Sequence, residues 1–140
     1  MKRHKDKQSS LRVLAYNKLI PESDVIKIMV SLQIAFEKIK LCENHDAFDL
    51  LAAALNVGLV RARSIHQDIV AEILEGAKAL QDYDLMMVEG RWQGFTLEGL
   101  EAIANALLRY KEIIQLSTYR QMDDALQTAM KEMVNYGKSN

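Results

Sequence analysis

The chain has 140 residues, 49% of them hydrophobic and 26% charged, which supplies enough apolar mass for one core at a formal net charge of −1. The single cysteine, Cys42, excludes an internal disulfide framework and a four-cysteine zinc site, and fits a reducing compartment. No apolar run approaches the roughly 18 residues of a spanning helix, and no apolar stretch of signal-peptide type follows the polar N-terminus. A cytoplasmic protein of one domain is expected.

Charge is unevenly placed. Lys2, Arg3, Lys5, Lys7 and Arg12 stand against Asp6, so residues 1–12 carry +4 and the remainder −5. Residues 1–12 read as a basic, disordered arm that solubilises the chain, or attracts phosphates or an acidic partner. Residues 13–140 read as the helical domain. Within it Val13–Ile20 is apolar without a clear period and is expected to lie along the bundle.

Pro21, with Glu22 and Asp24 behind it, suits a helix start. Val25, Ile28, Met29, Leu32, Ala35, Phe36 and Ile39 recur at three and four, predicting a first helix over 22–41. Asn44 is a good N-cap for the next, whose stripe is Phe48, Leu51, Leu55, Leu59 and Ala62. Ser64 and Gln67 match a capping box, which predicts a boundary near Ser64, with a continuous or kinked helix as the alternative. Ile69, Ile73, Ala77 and Leu80 continue the spacing, with Gly76 a mild cost inside that helix.

Gly90-Arg91-Trp92-Gln93-Gly94-Phe95-Thr96 is the strongest loop signal, with Thr96 as the cap of a helix lined by Leu97, Leu100, Ile103, Leu107, Tyr110 and Ile114. Thr118 and Gln121 form a second capping box. The last helix carries Tyr119, Met122, Leu126, Ala129, Met130 and Met133, and Gly137 is expected to end it. The fold class is all-α: a single-domain antiparallel bundle of about five helices, since short connections favour antiparallel neighbours.

No catalytic, cofactor or metal constellation emerges from these residues. His45 and His66 stand at helix starts without a second ligand at metal spacing. Cys42 precedes His45 by three residues, but a helix end falls there, and a structural or incidental cysteine is expected because reactivity needs an electropositive, accessible site. The 90–94 loop lacks the Lys-Ser/Thr ending of a phosphate cradle. An enzyme is not expected, nor a cofactor.

Two kinds of partner surface remain. Arg91, Trp92 and Phe95 combine residue types enriched at interface hot spots, beside the packing role of a hydrophobic staple. Met122, Met130 and Met133 could serve an adaptable surface, beside core filling. The alternative is DNA: residues 49–64 have a helix-turn-helix look, with Ala54 four before Gly58 and Arg61 and Arg63 beyond. Lys2, Arg3, Lys5 and Lys7 would then add phosphate contacts. The acidic run Asp68, Glu72 and Glu75 and the charge after residue 12 oppose that alternative.

Asn17-Lys18-Leu19-Ile20, Leu50 to Asn56, Gly90-Arg91, Phe95-Thr96-Leu97-Glu98 with Gly99 and Tyr110, and Thr118-Tyr119 occur in an order that spans most of residues 15–136. In this order the chain resembles a group of small uncharacterised helical proteins carried by phages, plasmids and integrated elements of proteobacteria. Some of these are labelled Fis-type regulators. The chain departs from them at Trp92-Gln93, where a tighter Gly-Arg-x-Gly turn is the pattern, and the resemblance supplies no site residues. It implies a mobile-element protein. With no chemistry legible, the expected function is binding to a host or element-encoded protein without membrane involvement, with a homodimer as a further option. Inhibition of a host nucleic-acid-handling or defence complex, such as a CRISPR effector, is the expected form. A DNA-binding transcriptional regulator is the alternative.

Overall fold

In a computed structural model, the described residues are 15–41, 44–91 and 93–139, with side chains described through Glu132. They form five helices and no strand: α1 (Glu22–Leu41), α2 (His45–Ala62), α3 (Gln67–Val88), α4 (Leu97–Gln115) and α5 (Tyr119–Ser139). The basic arm, Cys42 and Trp92 lie outside the described residues.

Local chemistry accounts for most of the boundaries. The Asp24 and Val25 amides donate to the Pro21 carbonyl at 3.0 and 3.1 Å, and Glu22 and Asp24 complement the positive end of α1. Asn44 caps α2, accepting from the Ala47 amide at 3.0 Å. Thr96 caps α4 through the Gly99 amide at 3.0 Å. At α5 the capping box closes both ways: Gln121 N–H donates to Thr118 Oγ1 at 3.1 Å and Thr118 N–H to Gln121 Oε1 at 2.9 Å. The box expected at Ser64 does not form. The Arg63, Ser64, Ile65 and His66 amides all donate back to carbonyls of residues 59–62. His66 is the cap instead, its Nδ1 accepting from the Asp68 amide at 3.1 Å. Gly137 lies inside α5 rather than ending it.

α2 is the hub, packing against all four other helices. Its buried Leu51, Leu55 and Ala62 share one core with Leu32 and Ile39 of α1, Ile73, Leu80 and Tyr83 of α3, and Ile103, Leu107 and Ile113 of α4. Leu97, expected in that core, points to solvent because it is the first residue of α4. α5 packs chiefly on α2, through Ala125 and Ala129 against Val57, and not on its chain neighbour α4. Residues before α1 are tied to the α4–α5 turn: Leu19 bridges to Thr118 and the Ile20 amide donates to the Ser117 carbonyl at 3.1 Å. Ser117, fully buried, donates to the Ile113 carbonyl at 2.6 Å and accepts from Arg61 Nε at 2.9 Å.

Arg109 of α4 holds Glu72 of α3 through two bonds of 2.8 and 3.0 Å. The guanidinium's hydrogen bond and charge keep the Glu72 carboxyl below its ordinary value of 4.5. A group depressed in this way stabilises the fold above that value, and the contribution fades as pH falls through the folded pKa. Glu72→Gln is therefore expected to lower the urea midpoint modestly at pH 7, with its gap to the parent narrowing in acid as pH falls below the ordinary 4.5. Equal gaps at pH 7 and pH 3 would remove the ion pair as the cause.

Candidate functional site

α1 and α5 both rest on α2, and they meet at a hydrogen bond from the Tyr119 hydroxyl to Asp24. Beyond that junction they leave a groove of about 430 Å³. Ile28 and Leu32 form its α1 wall, Leu50, Ala54 and Val57 its α2 side, and Met122 and Leu126 its α5 wall. Tyr110 of α4 reaches the floor, where burial pushes its phenol up and keeps it neutral at physiological pH. Among the described residues, Asp123 is the one charged side chain in the lining, and it accepts from the Tyr16 hydroxyl.

The groove follows from how α5 docks. Ala125 and Ala129 let its backbone sit close to Val57, whereas a Leu or Met at those positions would hold it off. The bulkier Leu126 and Met130 then stand at the rim, 40% and 52% exposed. On α1, Ile26, Val30 and Ile34 recur every four residues, each about half exposed, and so share an arc of about 80°. A shallower depression between α1 and α2, containing Ile34, Lys38 and Asp46, shares Ser31 and Leu50 with the groove. The two adjoin there, the groove mainly apolar and the depression mixed, with Lys38, Asn44 and Asp46 in its lining. Scattered exposed apolar residues are ordinary; a connected concave set is the kind that marks an interaction site.

The residues singled out from the sequence are placed elsewhere. Phe95 is half-buried and stacks on Tyr83 at 4.9 Å with ring planes 5° apart, and Tyr83 stacks in turn on Phe48 at 5.6 Å. Phe95 thus packs back onto α3, where the staple expectation has it packing on the helix that follows. Gly90 and Gly94 take positive φ values of 69° and 102°, which turns the chain across this corner. Arg91 is exposed and paired with Glu89, and Trp92 falls outside the described residues. A second depression of about 310 Å³ beside Phe95 is lined by Glu75, Lys78, Asp82 and Glu98.

Two cations of the DNA alternative, Arg61 and Arg63, are engaged within the chain. Arg61 bonds Ser117, and Arg63 pairs with Glu132 at 2.7 Å. α2 runs unbroken through Gly58, where a Cβ would lie 2.8 Å from the Tyr110 ring, so the turn between helices falls at residues 63–66. Lys2, Arg3, Lys5 and Lys7 are outside the described residues, as is the side chain of Met133.

Among the described residues, no group of three or more His, Cys, Asp or Glu side chains is gathered as metal ligands, and no helix is long and apolar enough to cross a membrane. Spacing does not separate the groove from the core: Ile28, Leu32, Tyr110, Met122 and Leu126 belong to stripes that read as buried, and Leu50, Ala54 and Val57 belong to none. The available signal was α1, whose apolar positions cover more of the helix circumference than one core-facing stripe uses. Compared with family models, curated proteins and solved structures, the chain matches none.

Proposed function

We propose that this chain is a non-enzymatic protein-binding module whose groove between α1, α2 and α5 receives the apolar face of a partner's amphipathic helix. The observation that supports it is the open apolar groove left where two helices lean on α2 without packing along each other. A third helix laid between α1 and α5 would bury Ile28, Leu50 and Leu126 together, the helix-in-groove mode of recognition. The partner helix carries basic flanks, matching Asp123, Asp46 and the net −5 of residues 13–140. A basic helix of a host nucleic-acid-handling or defence complex is the narrower proposal; the mobile-element resemblance and that charge support it.

Leu50→Asp and Leu126→Asp together test the reading. Both side chains are substantially exposed, so stability should change by only about 0.5 kcal/mol for each substitution. Panning a displayed library of amphipathic helices against the parent is expected to return apolar residues at three- and four-residue spacing with basic flanks. The double variant is expected to bind them at least about tenfold more weakly, some 1.4 kcal/mol. Equal binding by parent and variant would sink the groove as the site. Sequence-selective retention of duplex DNA at physiological salt would favour the regulator reading instead.

A further inference from the structure

We propose that Leu11, Val13 and Leu14 occupy the groove, so that the chain's own N-terminal segment is a resident competitor for the partner helix. The proposal rests on the groove being a binding site, and adds its regulation. Three observations lead to it.

The first is attachment. Tyr16 is fastened beside the groove: its hydroxyl donates to Asp123, which lines the groove, and the Arg120 guanidinium lies 5.5 Å from its ring centre. The chain preceding Ala15 therefore leaves from the α5 rim. The second is reach. From Tyr119 to Leu126 the wall is seven residues of helix, about 10.5 Å, while four extended residues cover about 13 Å. Residues 11–14 are enough, and the arm itself is not needed to cross. The third is chemistry. After Met1, the only strongly apolar side chains ahead of Ala15 are Leu11, Val13 and Leu14, and the nine residues from Lys2 to Ser10 are polar or charged. Residues 1–12 carry +4, and α5 presents Asp123 and Asp124 on this side of Tyr16.

Tethering makes this occupant effective even if each contact is weak. A short segment held at the rim has an effective concentration in the millimolar range, which an incoming helix must outcompete. Apolar anchors shared between segment and partner make the two exclusive. Binding would then be tuned by whatever draws the basic arm away, without any change in the groove itself.

The test uses the full chain in a Cys42→Ser background. Val13→Cys is paired with Ala53→Cys, an exposed position in the groove lining, or with Lys78→Cys on α3 as a remote control. A short bis-maleimide is added at low protein concentration. The expected result is an intramolecular crosslink at position 53, with a yield about tenfold above that at 78. Adding Leu11→Asp and Leu14→Asp should return the 53 yield to the control level. Equal yields, no crosslink at 53, or yields unchanged by the aspartates would overturn the proposal. A crosslink found only between molecules would overturn it in favour of a second copy as occupant. None of these readouts requires a partner, so failure of the binding reading in the panning experiment is separable from failure here.

Discussion

Replacing Gly76 by leucine is expected to destabilise the fold by about 3 kcal/mol or more, and even alanine by about 1 to 2 kcal/mol. Helix propensity alone gives the opposite sign for alanine, a gain of about 1 kcal/mol at an interior helical glycine. The packing decides. A Cβ at Gly76 would lie 2.4 Å from the Ala106 Cβ, 3.0 Å from the Ala102 carbonyl oxygen and 3.5 Å from the Ile103 Cα. Two of those three are backbone atoms of α4, which no rotamer change can move. The α3 and α4 axes would have to separate, and Ile73, Leu80, Ile103 and Leu107 along the shared core would lose contact together. Urea midpoints with an unchanged slope measure the loss. Adding Ala106→Gly to Gly76→Ala should restore part of it, because the shortest clash disappears while the Ala102 oxygen remains. A Gly76→Ala protein at least as stable as the parent would contradict the close approach.

Gly76 shows where sequence reasoning stops. Caps at Asn44, Thr96 and Thr118 are legible because donor and acceptor lie within three residues of each other, so composition and spacing contain the whole interaction. The stripes of Leu51, Leu55, Ile73, Leu80, Ile103 and Leu107 are legible for the same reason: period alone identifies a buried face. The meaning of a small residue is not local. At Gly76 it marks a helix crossing, and at Ala125 and Ala129 it sets how α5 sits on α2. The same limit explains Ser64, whose capping box is complete in the sequence. The amides of residues 63–66 stay bonded to the end of α2, with Ala62 fully buried and holding that end in place, so the next cap falls two residues later.

The groove is invisible in the sequence for a related reason. Leu126 and Leu32 are equally good core residues by pattern, and only the docking angle of α5 makes one a rim residue and the other a wall. Chain-local rules place α5 beside α4. α4, however, already offers its buried residues to α1, α2 and α3, which leaves α2 as the surface open to the last helix. The apolar surplus on α1 was the one warning that some apolar area would remain uncovered.

Tyr83→Ala is expected to cost about 3 to 5 kcal/mol, the range for emptying a large aromatic site. For a domain of this size that is a fall in Tm of roughly 10 to 17 °C. Tyr83 is 1% exposed, sits between Phe48 and Phe95, and accepts from the Asn44 amide at 3.3 Å. It therefore joins three things: the α2 start, α3, and the loop that leads into α4. Tyr83→Phe keeps the stack and removes the acceptor, so its loss should be near 1 kcal/mol. Phe95→Ala should fall between the two, since Phe95 is only half-buried and the stack contributes about 0.5 to 1.5 kcal/mol beyond burial. Exchange of the Gly99 amide, which depends on the Thr96 cap, should accelerate in Tyr83→Ala and Phe95→Ala but not in Tyr83→Phe. The functional consequence separates the two ends of the molecule. If the groove is the binding site, Tyr83→Phe should leave the affinity of selected helices unchanged, because Tyr83 contributes nothing to the groove lining. A large loss of binding in that variant would instead move the site to the Arg91–Phe95 corner, where the pairing of aromatic and arginine residues first pointed.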